Sequence, residues 1–382
     1  MHKLNLTRRD FLKTTGASLF LAGVPIPGFT KDKPPGTISV ILLEGGMDGL
    51  TAVPPFGDPD LLKMRNIISP KDYLKLNSFF GLHPSFKVLA GLFANNQASV
   101  VHATSIPYVK RSHFEGQNMM EGGGLSPFSE GSGWLGRALE LINTPGRALS
   151  LDMPLILRGH NENDNFYPAS IRNSSKLNTK LIDAISMAHA IESSNVFSKI
   201  SNKSKNSVID IPRDPASLAK YAGKVMSQDE GPLASVIRIP RFDTHARQGA
   251  DTGKHADLLG IIDDVIAGYR EGLGSAWDRS IVLTMTEFGR TVAVNGTTGT
   301  EHGYGTAGIL AGGTIQKSRV ISQWPGLSKN DQFERRDLMA TIDYWSVCAA
   351  CIEKTLGLDH ETIANKIFLR PKLPRVFDYI FT

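Results

Sequence analysis

A doubly wound α/β fold, with a mostly parallel central sheet and helices on both faces, is predicted by two features of this 382-residue sequence. Short, β-branched apolar runs alternate with segments whose apolar residues recur at helical spacing, and the runs end in polar or glycine-rich loops. Apolar residues make up 41% of the chain, enough to build a large core. In such sheets ligands gather at the carboxyl ends of the strands, so the loops that follow the strands are where site residues are sought.

Residues 37–43, Thr-Ile-Ser-Val-Ile-Leu-Leu, break into Glu44-Gly45-Gly46-Met47-Asp48-Gly49 and are expected as the first central strand. A helix over 83–95 and a strand over 98–103, separated by Asn-Asn-Gln, are expected to complete a βαβ unit. A helix starting at Trp134 should run to 141, followed by a strand over 151–157. Residues 171–208 are rich in Ser, Asn and Lys, and a helical cap or insertion is expected over 160–230. A strand over 235–239, an amphipathic helix over 255–273 and a strand over 280–285 follow, the last ending in Thr-Glu-Phe-Gly-Arg-Thr.

Residues 1–30 read as a twin-arginine export signal. Thr7-Arg8-Arg9-Asp10-Phe11-Leu12-Lys13 leads into a short apolar run over 16–24, too short for the roughly 20 apolar residues of a membrane span. The expected partner is therefore the twin-arginine translocation machinery, the expected location periplasmic or secreted, and no stable transmembrane span is foreseen. Residues 31–382 are expected as a single domain. The formal charge of +5 falls to about +2 without the basic signal, a balance that points away from nucleic acid. Cys348 and Cys351 exclude a disulfide framework. Their Cys-Ala-Ala-Cys spacing lies in a segment of helical periodicity over 338–356, which favours buried thiols over redox chemistry.

Four loops at strand ends carry the chemistry. Three follow strands and hold Glu44 and Asp48, Asp243 and His245, and Glu287; a fourth, 295–305, holds Glu301-His302-Gly303. On one sheet edge these residues would form a carboxylate and imidazole cluster suited to divalent metal ions. Beyond the second strand, Lys110-Arg111-Ser112-His113-Phe114-Glu115 offers two readings of its serine. Ser112 is a nucleophile beside an anion-holding Arg111, or the N-cap of a capping box closed by Glu115.

The segments Leu43-Glu44-Gly45-Gly46-Met47-Asp48-Gly49-Leu50, Arg111-Ser112-His113-Phe114-Glu115, Gly133-Trp134-Leu135-Gly136-Arg137, Phe242-Asp243-Thr244-His245, Glu287-Phe288-Gly289-Arg290-Thr291 and Gly299-Thr300-Glu301-His302-Gly303 resemble the domain of unknown function 1501 family, in order over 37–358. That family is grouped with the alkaline phosphatase and sulfatase superfamily. The resemblance implies an alkaline-phosphatase-like fold and hydrolysis of small anionic phosphate or sulfate esters with one or two divalent ions: zinc, manganese, magnesium or calcium. It makes Ser112 the implied nucleophile, with charge held by Arg111 or Arg290, and it implies metal ligation by Asp48 or Glu44, Asp48 being favoured, and by Asp243, His245, Glu287, Glu301 and His302. Glu301 stands where the family usually shows an aspartate, and Phe288 where the superfamily shows a ligating histidine. The resemblance thereby permits one ion on Asp243, His245 and His302 and a weaker site at Asp48, Ser112 and Glu287. A non-catalytic, metal-stabilised binding or envelope-assembly protein of the same fold is the alternative.

Overall fold

The computed structural model describes residues 36–168 and 212–382; the expected signal and the centre of the expected cap lie outside the described residues. Among the described residues a nine-stranded sheet runs in the order β10 (Val320–Ile321), β4 (Ala98–Ser105), β9 (Thr306–Ala311), β8 (Ser280–Met285), β1 (Thr37–Leu43), β7 (Ala234–Ile239), β5 (Gly146–Ala148), β6 (Asp164–Asn165), with β11 (Ile342–Asp343) added beside β4; β2 (Leu74–Lys75) and β3 (Gly81–Leu82) form a separate two-stranded ribbon. The first strand, β1 (Thr37–Leu43), lies between β7 (Ala234–Ile239) and β8 (Ser280–Met285), parallel to both. Both faces of β1 are covered, which is why it reads as a mostly apolar run, its polar Thr37 and Ser39 being buried and hydrogen-bonded to Ser280 and Ser235. Ile38, Val40 and Leu42 face one core with Trp134 and Trp345, while Ile41 and Leu43 face a second core with Leu259 and Ile262.

Helices lie on each face. One core is closed by α5 (Trp134–Ile142) and α8 (Tyr344–Leu356), the other by α3 (Lys87–Ala94), α6 (Pro215–Met226) and α7 (Lys254–Leu273), following the short α1 (Gly49–Ala52) and α2 (Leu61–Arg65) and the site helix α4 (His113–Gly122). Thus 215–226, inside the segment expected as a cap, is a helix packed on α7, with Asp214 accepting from the Ser217 amide at its start. Cys348 and Cys351 are buried on α8, and burial pushes both thiols up, as expected of inert core residues.

Two expectations are corrected. Residues 151–157 contain no strand: Pro154 opens a 3-10 turn, Leu155–Leu157, that buries Ile156 and Leu157, and the sheet position is taken by β5 (Gly146–Ala148) and β6 (Asp164–Asn165). Nor do β1 and β4 (Ala98–Ser105) form an adjacent βαβ pair. Between them lie β8 and β9 (Thr306–Ala311), the latter antiparallel to both of its neighbours. The Thr-Ala-Gly-Ile-Leu-Ala sequence of β9 has a weak strand signature. Its glycine is explained by Tyr344, whose ring would lie 2.3 Å from a Cβ at Gly308.

Candidate metal centre

The loops after β1, β4, β7 and β8 and the loop entering the antiparallel β9 all open on one sheet edge, because β9 runs opposite to its neighbours. Glycine allows two of these loops to cross. Gly45 has φ +118°, and a Cβ there would lie 2.4 Å from the Asp243 amide nitrogen. At the end of β4 the chain turns through Arg111, φ +63°, into Ser112 at the N-cap of α4, which presents His113 as the first helical residue.

His113, Asp243 and His302 bring their ligating atoms within 4.8 Å of one another. His245 joins them: its Nε2 is 2.8 Å from Asp243 Oδ1 and 3.0 Å from His302 Nε2. His302 Nε2 is also 3.0 Å from Asp243 Oδ1, and His113 Nε2 is 3.4 Å from Asp243 Oδ2. Three imidazole Nε2 atoms therefore converge on one carboxylate. The Nε2 of His113 is buried without a hydrogen-bond partner.

Each imidazole is held from behind through its other nitrogen. His113 Nδ1 lies 2.7 Å from Glu287 Oε1, His245 Nδ1 lies 2.8 Å from Glu301 Oε2, and His302 Nδ1 lies 2.9 Å from the Arg111 carbonyl. An Nδ1 fixed by a carboxylate or carbonyl, with Nε2 turned inward, is the arrangement that orients histidine for a metal. An orphaned buried nitrogen, three converging imidazoles and one carboxylate fit a borderline divalent ion such as zinc.

Protonation follows from these contacts. Burial pushes Asp243 up, but the Arg290 hydrogen bond and charge, with His245 and His302, hold it below the usual carboxylate range. Burial lowers His302, favouring the neutral form that ligates, whereas the Glu287 hydrogen bond raises His113 against the effect of burial.

The predicted residues thus separate by role. Asp243, His245 and His302 lie together in the cluster. Glu287, fully buried, does not face the cluster as a ligand; its Oε1 takes His113, the Gly45 amide at 2.9 Å and Gln117 at 3.1 Å. Glu301 likewise stands behind His245, held by Asn295 at 2.6 Å. Asp48 stands apart from the cluster in a buried ion pair with Arg65, and Gln248 donates to it at 2.5 Å. This cationic partner, 17 residues away, satisfies the charge for which a second ion was expected, and Arg65 holds Asp48 down against the effect of burial.

Neither arginine is free. Arg111 is taken by Asp337 and Glu334, while the buried Arg290 donates to Asp243 at 2.6 Å. Ser112 occupies the N-cap without making a side-chain capping bond, and Glu115 accepts from Tyr108, so the capping box is not formed. Phe288 packs its ring 4.9 Å from His113 and 4.8 Å from His302. Sequence reasoning missed His113 as a member of the cluster. The signal was present, since it directly follows Ser112 at a strand end, but that motif was read for its hydroxyl.

Fold and cluster together define an α/β domain with a three-histidine, one-carboxylate centre at the carboxyl edge of its parallel strands. The chain belongs to the family described as protein of unknown function (DUF1501), whose profile matches residues 95–365, a span that includes all four cluster residues. Similar solved structures include the C-terminal periplasmic domain of EcEptC from Escherichia coli, at 9% identity over 90% of this chain and 88% of that one, with a TM-score of 0.41. A protein in the alkaline phosphatase superfamily from Vibrio parahaemolyticus is 9% identical over 76% of this chain and 63% of that one, with a TM-score of 0.38. The lipoteichoic acid synthase LtaP from Listeria monocytogenes is 10% identical over 76% and 67%, with a TM-score of 0.36. These likenesses are loose and carry nothing further. A search of curated proteins matched none to this chain. Among the described residues, no helix is long and apolar enough to cross a membrane.

Proposed function

We propose that the protein is an exported, divalent-metal-dependent hydrolase of phosphate or sulfate esters of the alkaline phosphatase and sulfatase type. The observation that carries the reading is the convergence of three back-held imidazoles on Asp243, with His113 Nε2 left unpaired in a buried position. Export rests on the Arg8-Arg9 segment at the N-terminus.

His113, Asp243, His245 and His302 would hold a single ion, whose contribution when bound is to polarise the ester and stabilise developing negative charge. Glu287, Glu301 and the Arg111 carbonyl set the imidazole directions, and Arg290 keeps Asp243 ionised. Ser112, beside His113 and making no capping bond, supplies the nucleophilic oxygen. Its proton passes to solvent as the new bond to phosphorus or sulfur forms and the alcohol oxygen departs; water then cleaves the seryl ester.

Metal content of the purified chain, followed by turnover of aryl phosphate and aryl sulfate, tests this reading. About one tightly held ion per chain is expected, lost in His113→Ala, together with turnover that Ser112→Ala abolishes while the ion stays bound. A chain that binds no divalent ion refutes it. The non-catalytic alternative is favoured by one specific observation: both predicted anion-holding arginines are already paired with carboxylates. It predicts bound metal without turnover.

A further inference from the structure

We infer that Gln248 is a positioning residue for the proposed metal centre, joining the buried Asp48–Arg65 pair to the ligand Asp243 through a chain of oriented hydrogen bonds. Gln248 touches none of the three imidazoles, yet it is fully buried and uses its whole hydrogen-bonding capacity. Its Nε2 donates to Asp48 Oδ2 at 2.5 Å and to Thr51 at 3.3 Å, while its Oε1 accepts from Thr244 at 2.9 Å and from Thr300 at 2.8 Å.

The direction of every link is decided by its neighbours. Asp48 is ionised beside Arg65 and can only accept, so the amide must turn its NH2 toward Asp48 and its oxygen toward the two threonines. The Thr300 hydroxyl must then give its hydrogen to Gln248, which leaves a lone pair for Arg290 Nε at 3.1 Å. Arg290 is pinned further by the Thr300 carbonyl at 2.5 Å, and its Nη1 reaches Asp243 Oδ1 at 2.6 Å.

Thr244 precedes His245, and Thr300 lies two residues before His302. One amide therefore ties together the two loops that carry three of the four cluster residues. It gives Asp48, which stands apart from the cluster in its ion pair with Arg65, a part in orienting the centre through Gln248. This inference rests on the metal reading above.

The test is zinc affinity of the metal-stripped full chain, measured by chelator competition, beside its metal-free melting temperature. Gln248→Met and Thr300→Val are each expected to weaken zinc binding about 10–100-fold, as loss of an outer partner does. Thr300→Ser, which keeps the hydroxyl, should bind like the parent. If the threonine variants differ from each other in melting temperature but not in affinity, the role is structural and the inference fails. Should Gln248→Met not fold, the Thr300→Val and Thr300→Ser pair decides alone. Parental affinity in Gln248→Met and Thr300→Val overturns the inference while leaving the metal reading intact; a parent that binds no zinc overturns both.

Discussion

Neutralising Asp48 separates an internal counter-ion from a metal ligand more sharply than any other single change. Asp48 and Arg65 are 1% and 0% exposed, and removing one partner of such a pair typically costs about 3–5 kcal/mol, because the remaining charge stays buried. Arg65 keeps the Thr291 carbonyl at 2.7 Å and the Val292 carbonyl at 3.1 Å, which places the expected loss for Asp48→Asn near the lower bound, about 3 kcal/mol. At about 2.1 cal/mol/K of unfolding entropy per residue, a domain of roughly 350 residues would lose about 4 °C in melting temperature. Asn retains an oxygen for Gln248, so zinc stoichiometry should remain that of the parent. The assay is denaturant unfolding of metal-free protein, paired with metal analysis. The pH dependence gives a second readout. Asp48 lies below its ordinary value of 3.8 in the folded chain, so its contribution is present above that value and lost as pH falls through the folded one. The gap between parent and Asp48→Asn should thus be full near neutrality and close in acid. A metal-free stability loss under 1 kcal/mol, combined with loss of the ion, would make Asp48 a ligand and refute the reasoning.

Two further outcomes are expected of the site and one of the core. Glu287→Gln should keep the fold and weaken zinc binding about 10–100-fold, since the carboxylate behind His113 is lost while the shape is kept; unchanged affinity by chelator competition would count against its role. Gly45→Ala should destabilise the chain by at least about 2 kcal/mol, because φ +118° disfavours a side chain and the new Cβ would meet the Asp243 amide at 2.4 Å; an unfolding midpoint equal to the parent's would contradict this crossing of loops. Cys348 and Cys351 should resist a thiol reagent until the protein is unfolded, and labelling of the native chain would revive a redox reading.

Much of the frame was legible along the chain because it depends on local pattern. The run over 37–43 is mostly apolar and became β1 without adjustment, and the 280–285 run became β8 in the same way. The strand ends then marked where Asp243, His245 and His302 would lie, since strand direction alone sends those loops to one edge. Missed elements had weak or ambiguous local signals. In β9 a central glycine is used to admit Tyr344, and the expected strand over 151–157 was diverted by Pro154 into a buried turn.

What the sequence determined by itself was the inventory: carboxylates and imidazoles after successive strands, a serine and histidine at the end of β4, and two thiols on an apolar helix. What only the tertiary structure decided was the sorting of that inventory. Asp48, Asp243, Glu287 and Glu301 carry the same functional group, yet one is an internal counter-ion, one a candidate ligand and two are supports behind histidines. Their partners lie far along the chain: Arg65 is 17 residues from Asp48, Glu287 is 174 from His113 and Gln248 is 200 from Asp48. A carboxylate's role is set by which charge or donor reaches it within about 3 Å, and that separation is fixed only when the loops are brought together over the sheet edge.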